Sequence, residues 1–444
     1  MTPEPGVSVI ILNRDRIACL ERAVAALRHQ SHRDFQLVIV SNQTETVAAL
    51  FPDRDRITFV SCPAPNISQA RNLGLKAASG AIVAFCDDDA VPEPRWLARL
   101  VAAFENPQVG AAGGMVRGRN GVSLQWGAVA VDRLGNDHPL DLARNQDIAI
   151  YPPNTALVPK TIGTNSAFRR SALAQIGGFD QAFRFFLDET DVNRRLSDGG
   201  WHTAIIPLAE VHHGFAASAY RSAERVPRCL FELGASKAYF CTRHGDAAGC
   251  ADALADFRKA QRARLIRFML LGYLSRGDIA RILSSLDAGV KDGLARQPHT
   301  SPSLAPDPAG PPNLGPLNLG PPNLGLPAHR SFVSGPMPEH VLLTADQYSR
   351  RRIIAEARDL ATTHIVTVLD FDRSTKMTTT RFEMPGFWLH RGGQFGRTNR
   401  SDRMVQFKTR RTAIANELAR IAPQRPVSDK AFGETVPRVH NSGI

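Results

Sequence analysis

Cysteine is scarce: the 444 residues hold six, Cys19, Cys62, Cys86, Cys229, Cys241 and Cys250, with no CxxC pair. That excludes a dense disulfide scaffold and offers none of the close ligand pairs of a zinc site. The six read as reduced and mostly structural, small buried hydrophobes. Long apolar runs are also missing. The longest late one, Leu265 to Leu274, spans ten residues and is interrupted by Arg267, whereas a bilayer span needs ~20 apolar residues. Met1 to Gly6 carries an acid and prolines instead of a basic region leading into an apolar one, so no signal peptide is expected. An integral membrane protein and a secreted one are both disfavoured, and the expected location is cytoplasmic, extending to the inner face of the membrane.

What is present is ordinary globular usage, 43% apolar, 22% charged and 7% aromatic. At ~150 residues per domain the length allows two or three domains, each able to bury a core. The net charge of +12 is unevenly placed. Residues 1–215 hold 21 Lys+Arg against 22 Asp+Glu, and residues 216–444 hold the other 33 against 20. The whole basic excess therefore lies in the second half. A membrane surface, a polyanionic acceptor or nucleic acid would suit it, and a merely solvated basic face accounts for it equally well.

Strand and helix signals alternate through residues 1–215. Val7 to Leu12 and Phe35 to Val40 are β-branched runs, and Ile57 to Ser61 is a third strand candidate. Ile17, Leu20, Ala23, Val24 and Leu27 recur at helical spacing, Ser68 to Ala78 reads as a helix, and Ala81 to Phe85 is an apolar strand ending on acids. The pattern predicts an α/β fold with a doubly wound, mainly parallel sheet, whose ligands bind beyond the strand carboxyl ends. Residues 216–297 read as a helical extension, clearest over Arg258 to Leu274 and Ile279 to Leu294. Residues 298–328 form a Pro/Gly/Asn/Leu-rich linker with a five-residue repeat over Pro311 to Gly325. Residues 329–444 read as a basic C-terminal domain, with a helix over Thr344 to Ala361, a strand over His364 to Leu369, and a cationic stretch from Arg391 to Arg411.

Asp87, Asp88 and Asp89 close the apolar strand. Repelling acids at the ligand edge of a sheet are costly unless a cation neutralises them. Oxygen donors suit Mg²⁺ or Mn²⁺, which commonly complete their shell with phosphate oxygens, and an acidic helix start explains the same residues about as well. Asp188, Glu189 and Asp191 form a second cluster that could supply a general base or simply begin a helix. His212 and His213 follow an apolar segment, and spacing alone favours a structural role for them. A further Asp-x-Asp, Asp370 and Asp372, follows a strand signal without companion motifs and reads as a strand-end turn.

Taken in order, Val7 to Arg14, Ile67 to Gly74, Gly80 to Asp89, Gly163 to Arg170, Gly177 to Asp180, Asp188 to Asp191 with Gly200-Trp201, and Pro207 to His212 resemble the family 2 glycosyltransferases of the GT-A fold. The resemblance covers residues 7–215. It implies a GT-A (Rossmann-like) mixed sheet and transfer of a sugar, with inversion, from a nucleotide-diphosphate donor to a hydroxyl of a glycan or lipid-linked acceptor, as in cell-surface polysaccharide synthesis. On that resemblance the donor is bound by Asn13, Asn42, Arg71, Asp87, Asp88 and Asn165. Mn²⁺ or Mg²⁺ is held by Asp87, Asp89 and His212, and catalysis falls to Glu189 with Asp188 and Asp191. Two departures stand out. The family's Glu-Asp is reversed in Asp188-Glu189, and Asn42 stands where the family ends its second strand on a nucleobase-contacting aspartate. They motivate the alternative of a catalytically impaired scaffold that binds nucleotide sugar or acts as an assembly partner. Nucleotidyl transfer is disfavoured because Asn13-Arg14-Asp15-Arg16 has no glycine, and nucleic-acid binding because only Arg391 to Arg411 suggests it.

Overall fold

A computed structural model describes residues 6–142, 147–154, 156–299, 328–399 and 402–425. The β-branched runs form strands β1 (Val7–Asn13), β2 (Phe35–Ser41) and β3 (Ile57–Ser61), and the run before the acids forms β4 (Ile82–Asp87). Helices α1 (Ile17–Leu27), α2 (Thr44–Ala48) and α3 (Ile67–Ala77) connect them. The four strands are parallel in the order β3-β2-β1-β4. Successive side chains alternate across the sheet. Val7, Val9 and Ile11 therefore join Leu20, Val24 and Leu27 of α1, while Ile10 joins Leu75 of α3 on the other face.

Beyond the acids the chain forms β5 (Ala90–Pro92), α4 (Trp96–Ala102), β6 (Val109–Arg117) and β7 (Leu124–Trp126). Next come β8 (Val129–Val131), β9 (Asp137–Pro139), β10 (Ala149–Tyr151) and β11 (Val158–Lys160). The half closes with β12 (Asn165–Arg169), α5 (Arg170–Gln175), α6 (Asp188–Asp198) and β13 (His202–His213). β12 runs antiparallel between β4 and β6, so the full order β3-β2-β1-β4-β12-β6-β13-β10 is a mixed sheet with helices on both faces. β8, β9 and β11 make a separate small sheet. This is the α/β architecture the sequence predicts for its first half.

The second half departs from expectation in three places. Residues 216–230 are a loop with isolated β-bridges instead of a helix. Helices α7 (Phe231–His244), α8 (Ala247–Leu270) and α9 (Arg276–Ala295) follow. α8 starts well before Arg258 because the Asp246 side chain caps it, accepting the Gly249 N–H at 2.8 Å. Thr344 lies in strand β14 (His340–Ala345), and helix α10 (Arg350–Leu360) begins only after a turn in which Asp346 accepts from Ser349. β15 (Ile365–Asp372), β16 (Thr379–Glu383) and β17 (Phe387–Gly393) join β14 in a third sheet, ordered β14-β15-β17-β16, and α11 (Arg410–Ile421) follows. Asp370 is fully buried and ion-paired with Arg350 and Arg391, each at 2.7 Å, as suits a strand-end acid with a structural task. The repeat over residues 311–325 lies outside the described residues, as do residues 426–444.

The C-terminal sheet packs against the first half through Arg425. Its guanidinium is buried, makes a two-point ion pair with Glu93 at 2.6 and 2.7 Å, donates to His390 Nε2 at 2.7 Å, and lies 3.8 Å over the Trp388 ring. Among the described residues no helix is long and apolar enough to cross a membrane.

Candidate active site

β4 ends on Asp87, and Asp88 and Asp89 turn the chain into β5. β5 pairs antiparallel with the end of β13, with His213 opposite Ala90 and His212 opposite Val91. The pairing carries His213 over the acids. Ligand atoms of Asp87, Asp89 and His213 all lie within 4.8 Å of one another. Asp88 turns the other way. It is fully buried, accepts from Asn13 Nδ2 at 2.8 Å and pairs with Arg16. Burial pushes its carboxyl up to about 7; Arg16 and Asn13 pull against that, while Asp89 and Asp87 add to it.

The expected ligand His212 does not join this group. Adjacent strand residues face opposite ways, and His212 Nε2 pairs with Glu93 at 2.8 Å, its ring 4.9 Å from that of Trp388. His213 takes its place. Its Nδ1 lies 3.2 Å from the side-chain amide oxygen Oε1 of Gln125, an acceptor, so Nδ1 carries the hydrogen and Nε2 faces the acids. Nε2 stands 3.3 Å from Oδ1 of Asp89, and that buried oxygen has no partner in hydrogen-bonding geometry. Two acceptors this close require something cationic between them. Burial notwithstanding, His213, Arg16 and the Ala216 N–H hold Asp89 well below the usual carboxylate range. A divalent ion fits the same donor set.

The second acidic cluster is placed by a strained turn. Phe186 (φ 74°) and Leu187 (φ 62°) both adopt the left-handed conformation just before α6, at ~1–2 kcal/mol per residue for side chains of this kind. Burial of Leu187 beside Phe183 offsets that cost. Asp188 then pairs with Arg71, whose guanidinium lies against the rings of Phe85 and Phe179. Burial pushes the Asp188 carboxyl up to about 7, with Arg71 pulling it down and Glu189 reinforcing the rise. Glu189 is only partly buried and accepts from the Thr190 hydroxyl at 3.3 Å. A Cβ added at Gly163 would stand 2.5 Å from Arg71 Nη2 and 3.6 Å from Glu189 Oε2, so this glycine keeps room for both. Gly163 lies two residues before Asn165, which sits opposite Cys86 at the carboxyl end of β4. Glu189 thus belongs to the same sheet edge as Asp87 and Asp89.

Three other expected site residues are committed elsewhere. Asn165 is fully buried and spent: its amide donates to the carbonyls of Met115 and Ala209 at 2.9 and 2.8 Å, and its oxygen accepts from Trp96 at 2.8 Å. Asp191 is buried among Arg195, Arg243 and His244 at 2.6–3.0 Å, which hold it well below the usual range despite burial. Asn13 ties Asp88 to the sheet. Asn42, just past β2, donates to Asp15 at 2.9 Å and keeps a buried carbonyl oxygen without a partner.

Sequence reasoning missed His213, Gln125, Arg16 and the loop after β13. In that loop the Ala216 N–H donates to Asp89 Oδ2 at 2.7 Å and Arg221 lies 3.9 Å from the same oxygen. Arg16, 3.3 Å from Asp89, was legible as one of two arginines just past the first strand. Residues 216–230 carry no periodic signal and could be placed only by the fold.

The stretch that carries these residues is shared with known proteins. Residues 8–177 match the family model described as glycosyl transferase family 2, so the chain carries a family 2 glycosyltransferase domain. It is similar to the O-antigen biosynthesis protein RfbC of Myxococcus xanthus, with 29% identity over 52% of this chain and 19% of that one. It is also similar to the glucosyl-dolichyl phosphate glucuronosyltransferase of Haloferax volcanii, with 28% identity over 39% of this chain and 56% of that one. The succinoglycan biosynthesis protein ExoM of Rhizobium meliloti shares 25% identity over 62% of this chain and 92% of its own. The chain therefore spans only 19% and 56% of the first two relatives.

Proposed function

We propose that the protein moves a sugar from a nucleotide-diphosphate donor to a hydroxyl of a glycan or lipid-linked acceptor, with inversion, in cell-surface polysaccharide synthesis at the cytoplasmic side. The observation that carries this reading is the convergence of Asp87, Asp89 and His213 on the sheet edge that also presents Glu189. A divalent ion bound there would neutralise the charge that builds on the departing diphosphate. The imidazole nitrogen in the donor set favours Mn²⁺ over Mg²⁺. Arg16 and Arg221 flank the same acids and suit the diphosphate oxygens. Arg71 and Asp188 set the position of Glu189, whose carboxylate takes the acceptor proton as that oxygen bonds to the anomeric carbon and the bond to the diphosphate breaks. The unpartnered carbonyl of Asn42 is available to a nucleobase amine. Residues 1–215 are the catalytic unit on this reading, 216–297 a helical extension, 298–328 a linker and 329–444 a basic unit, the second half meeting an anionic membrane surface.

The test is release of nucleoside diphosphate from a panel of UDP-, GDP- and dTDP-sugars with Mn²⁺. Glu189→Gln should lower turnover ~10²–10⁴-fold while calorimetry shows donor binding retained. Donor binding without turnover by the unaltered chain would instead support the impaired scaffold.

A further inference from the structure

Helices α8 and α9 form a hairpin whose inner faces close on a small core of Leu230, Leu265, Ile282, Leu283 and Leu286. Its tip keeps apolar side chains in solvent: Leu270 is 77% exposed, Leu271 68% and Tyr273 53%, grouped around Gly272, whose φ of +79° makes the turn. Their core positions are already filled, so these three are not displaced interior residues. Around them, Arg258 to Arg281 holds seven Lys or Arg and one acid, Asp278. Arg258 is paired with Asp287 and Arg281 with Asp278. Lys259, Arg262, Arg264, Arg267 and Arg276 have no carboxylate partner among the described residues.

We infer that this tip is an interfacial docking surface for a bilayer bearing anionic phospholipids, with Leu270, Leu271 and Tyr273 entering the headgroup boundary and the five free cations meeting phosphates. An apolar tip collared by cations is the pattern of interfacial attachment, and the hairpin cannot span. A second copy of the chain is a poorer occupant, because two tips of the same strong positive charge repel. The attachment is coupled to the site. Phe257 of α8 stacks on Phe186, in the turn that launches α6 and Glu189, and the tip lies about 20 Å farther along the helix. This deepens the membrane part of the proposed function and does not depend on the donor chemistry.

The test is flotation of the full chain, without nucleotide sugar, on phosphatidylcholine vesicles with and without phosphatidylglycerol. Binding is expected only with the anionic lipid. It should fall by about tenfold or more in Leu270→Ser/Leu271→Ser/Tyr273→Ser and in Arg262→Glu/Arg267→Glu, with unchanged circular dichroism and unchanged donor hydrolysis. Absence of binding, equal binding to neutral vesicles, or binding that survives the tip substitutions overturns the inference. So does a dimer in solution that the tip substitutions dissociate. Because no sugar is present, failure here leaves the donor assay standing, and failure of that assay leaves vesicle binding standing.

Discussion

His212 and His213 are chemically identical neighbours, and the pleat of β13 gives them opposite tasks. One closes a buried ion pair with Glu93; the other faces Asp87 and Asp89 with Nε2. His213→Ala should weaken Mn²⁺ binding by about tenfold or more. His212→Ala should leave Mn²⁺ affinity within about twofold and lower the melting temperature instead, because Glu93 loses a hydrogen-bond donor. Calorimetric titration of Mn²⁺ into both variants separates the two. Equal loss of affinity in both would remove His213 from its assigned place. At this scale the sequence exposed the acids well, since three carboxylates after an apolar strand are unusual. It was silent on which of them the fold would consume. Asp88, Asn165 and Asp191 are buried with their polar atoms engaged, and only packing determines that.

Elements with strong periodic patterns were readable, and elements made by close backbone approach were not. β1, β2 and β4 stand where their apolar runs place them, because every second or every residue in them must be buried. α9 depends on something no apolar stripe reports. Gly289 and Gly293 let it rest on α7, where an added Cβ would come within 1.9 Å of the Phe231 carbonyl oxygen and 2.1 Å of that of Ala235. Gly289→Ala should therefore destabilise the chain by about 1–3 kcal/mol despite alanine's better helix propensity. Denaturant unfolding checks this, and a neutral or stabilising result would mean the helices can slide apart without penalty. The loop over 216–230 was misread as helix for the complementary reason. Its residues are ordered by Asp89 and by Phe215, which lies under Arg225 at 3.9 Å, not by a pattern of their own.

Across the whole molecule, the two halves are joined by a buried charge network beside apolar contacts, in which Ala26 and Val91 meet Phe382 and Trp388 and Phe35 meets Phe332. Arg425 compensates Glu93, fixes Nε2 of His390 as an acceptor and so directs Nδ1–H to Glu417 at 2.6 Å. Arg425→Ala leaves Glu93 a buried anion without its strongest partner and should cost about 3–5 kcal/mol, measurable by denaturant unfolding. The same architecture carries a pH dependence. Burial holds both His29 and His390 down to about 4, whereas in an unfolded chain they titrate near 6.5. Between those values the unfolded chain binds protons that the folded chain refuses. The contribution of each ring is complete above about 6.5 and falls as the pH drops toward 4, by roughly 2–3 kcal/mol per ring, while the raised carboxyls of Asp88 and Asp188 act in the opposite sense over the same window. The test is therefore a difference: on going from pH 7 to pH 4, His29→Leu should lose less melting temperature, or gain more, than the unaltered chain. Parallel profiles for the two proteins would contradict a buried neutral His29 ring.

The amino-acid sequence by itself determined the alternating order of strands and helices, the edge of the sheet on which acids would gather, and the family to which residues 8–177 belong. Those follow from local physics, since burial periodicity and strand-end position are written in short windows of chain. The identity of the third ligand, the inward turn of Asp88, the cationic loop over Asp89 and the seating of Arg425 beneath Glu93 were decided only by the tertiary structure. Each depends on contacts between residues far apart in the chain, and on which side of a pleat or turn a side chain emerges once those partners are in place.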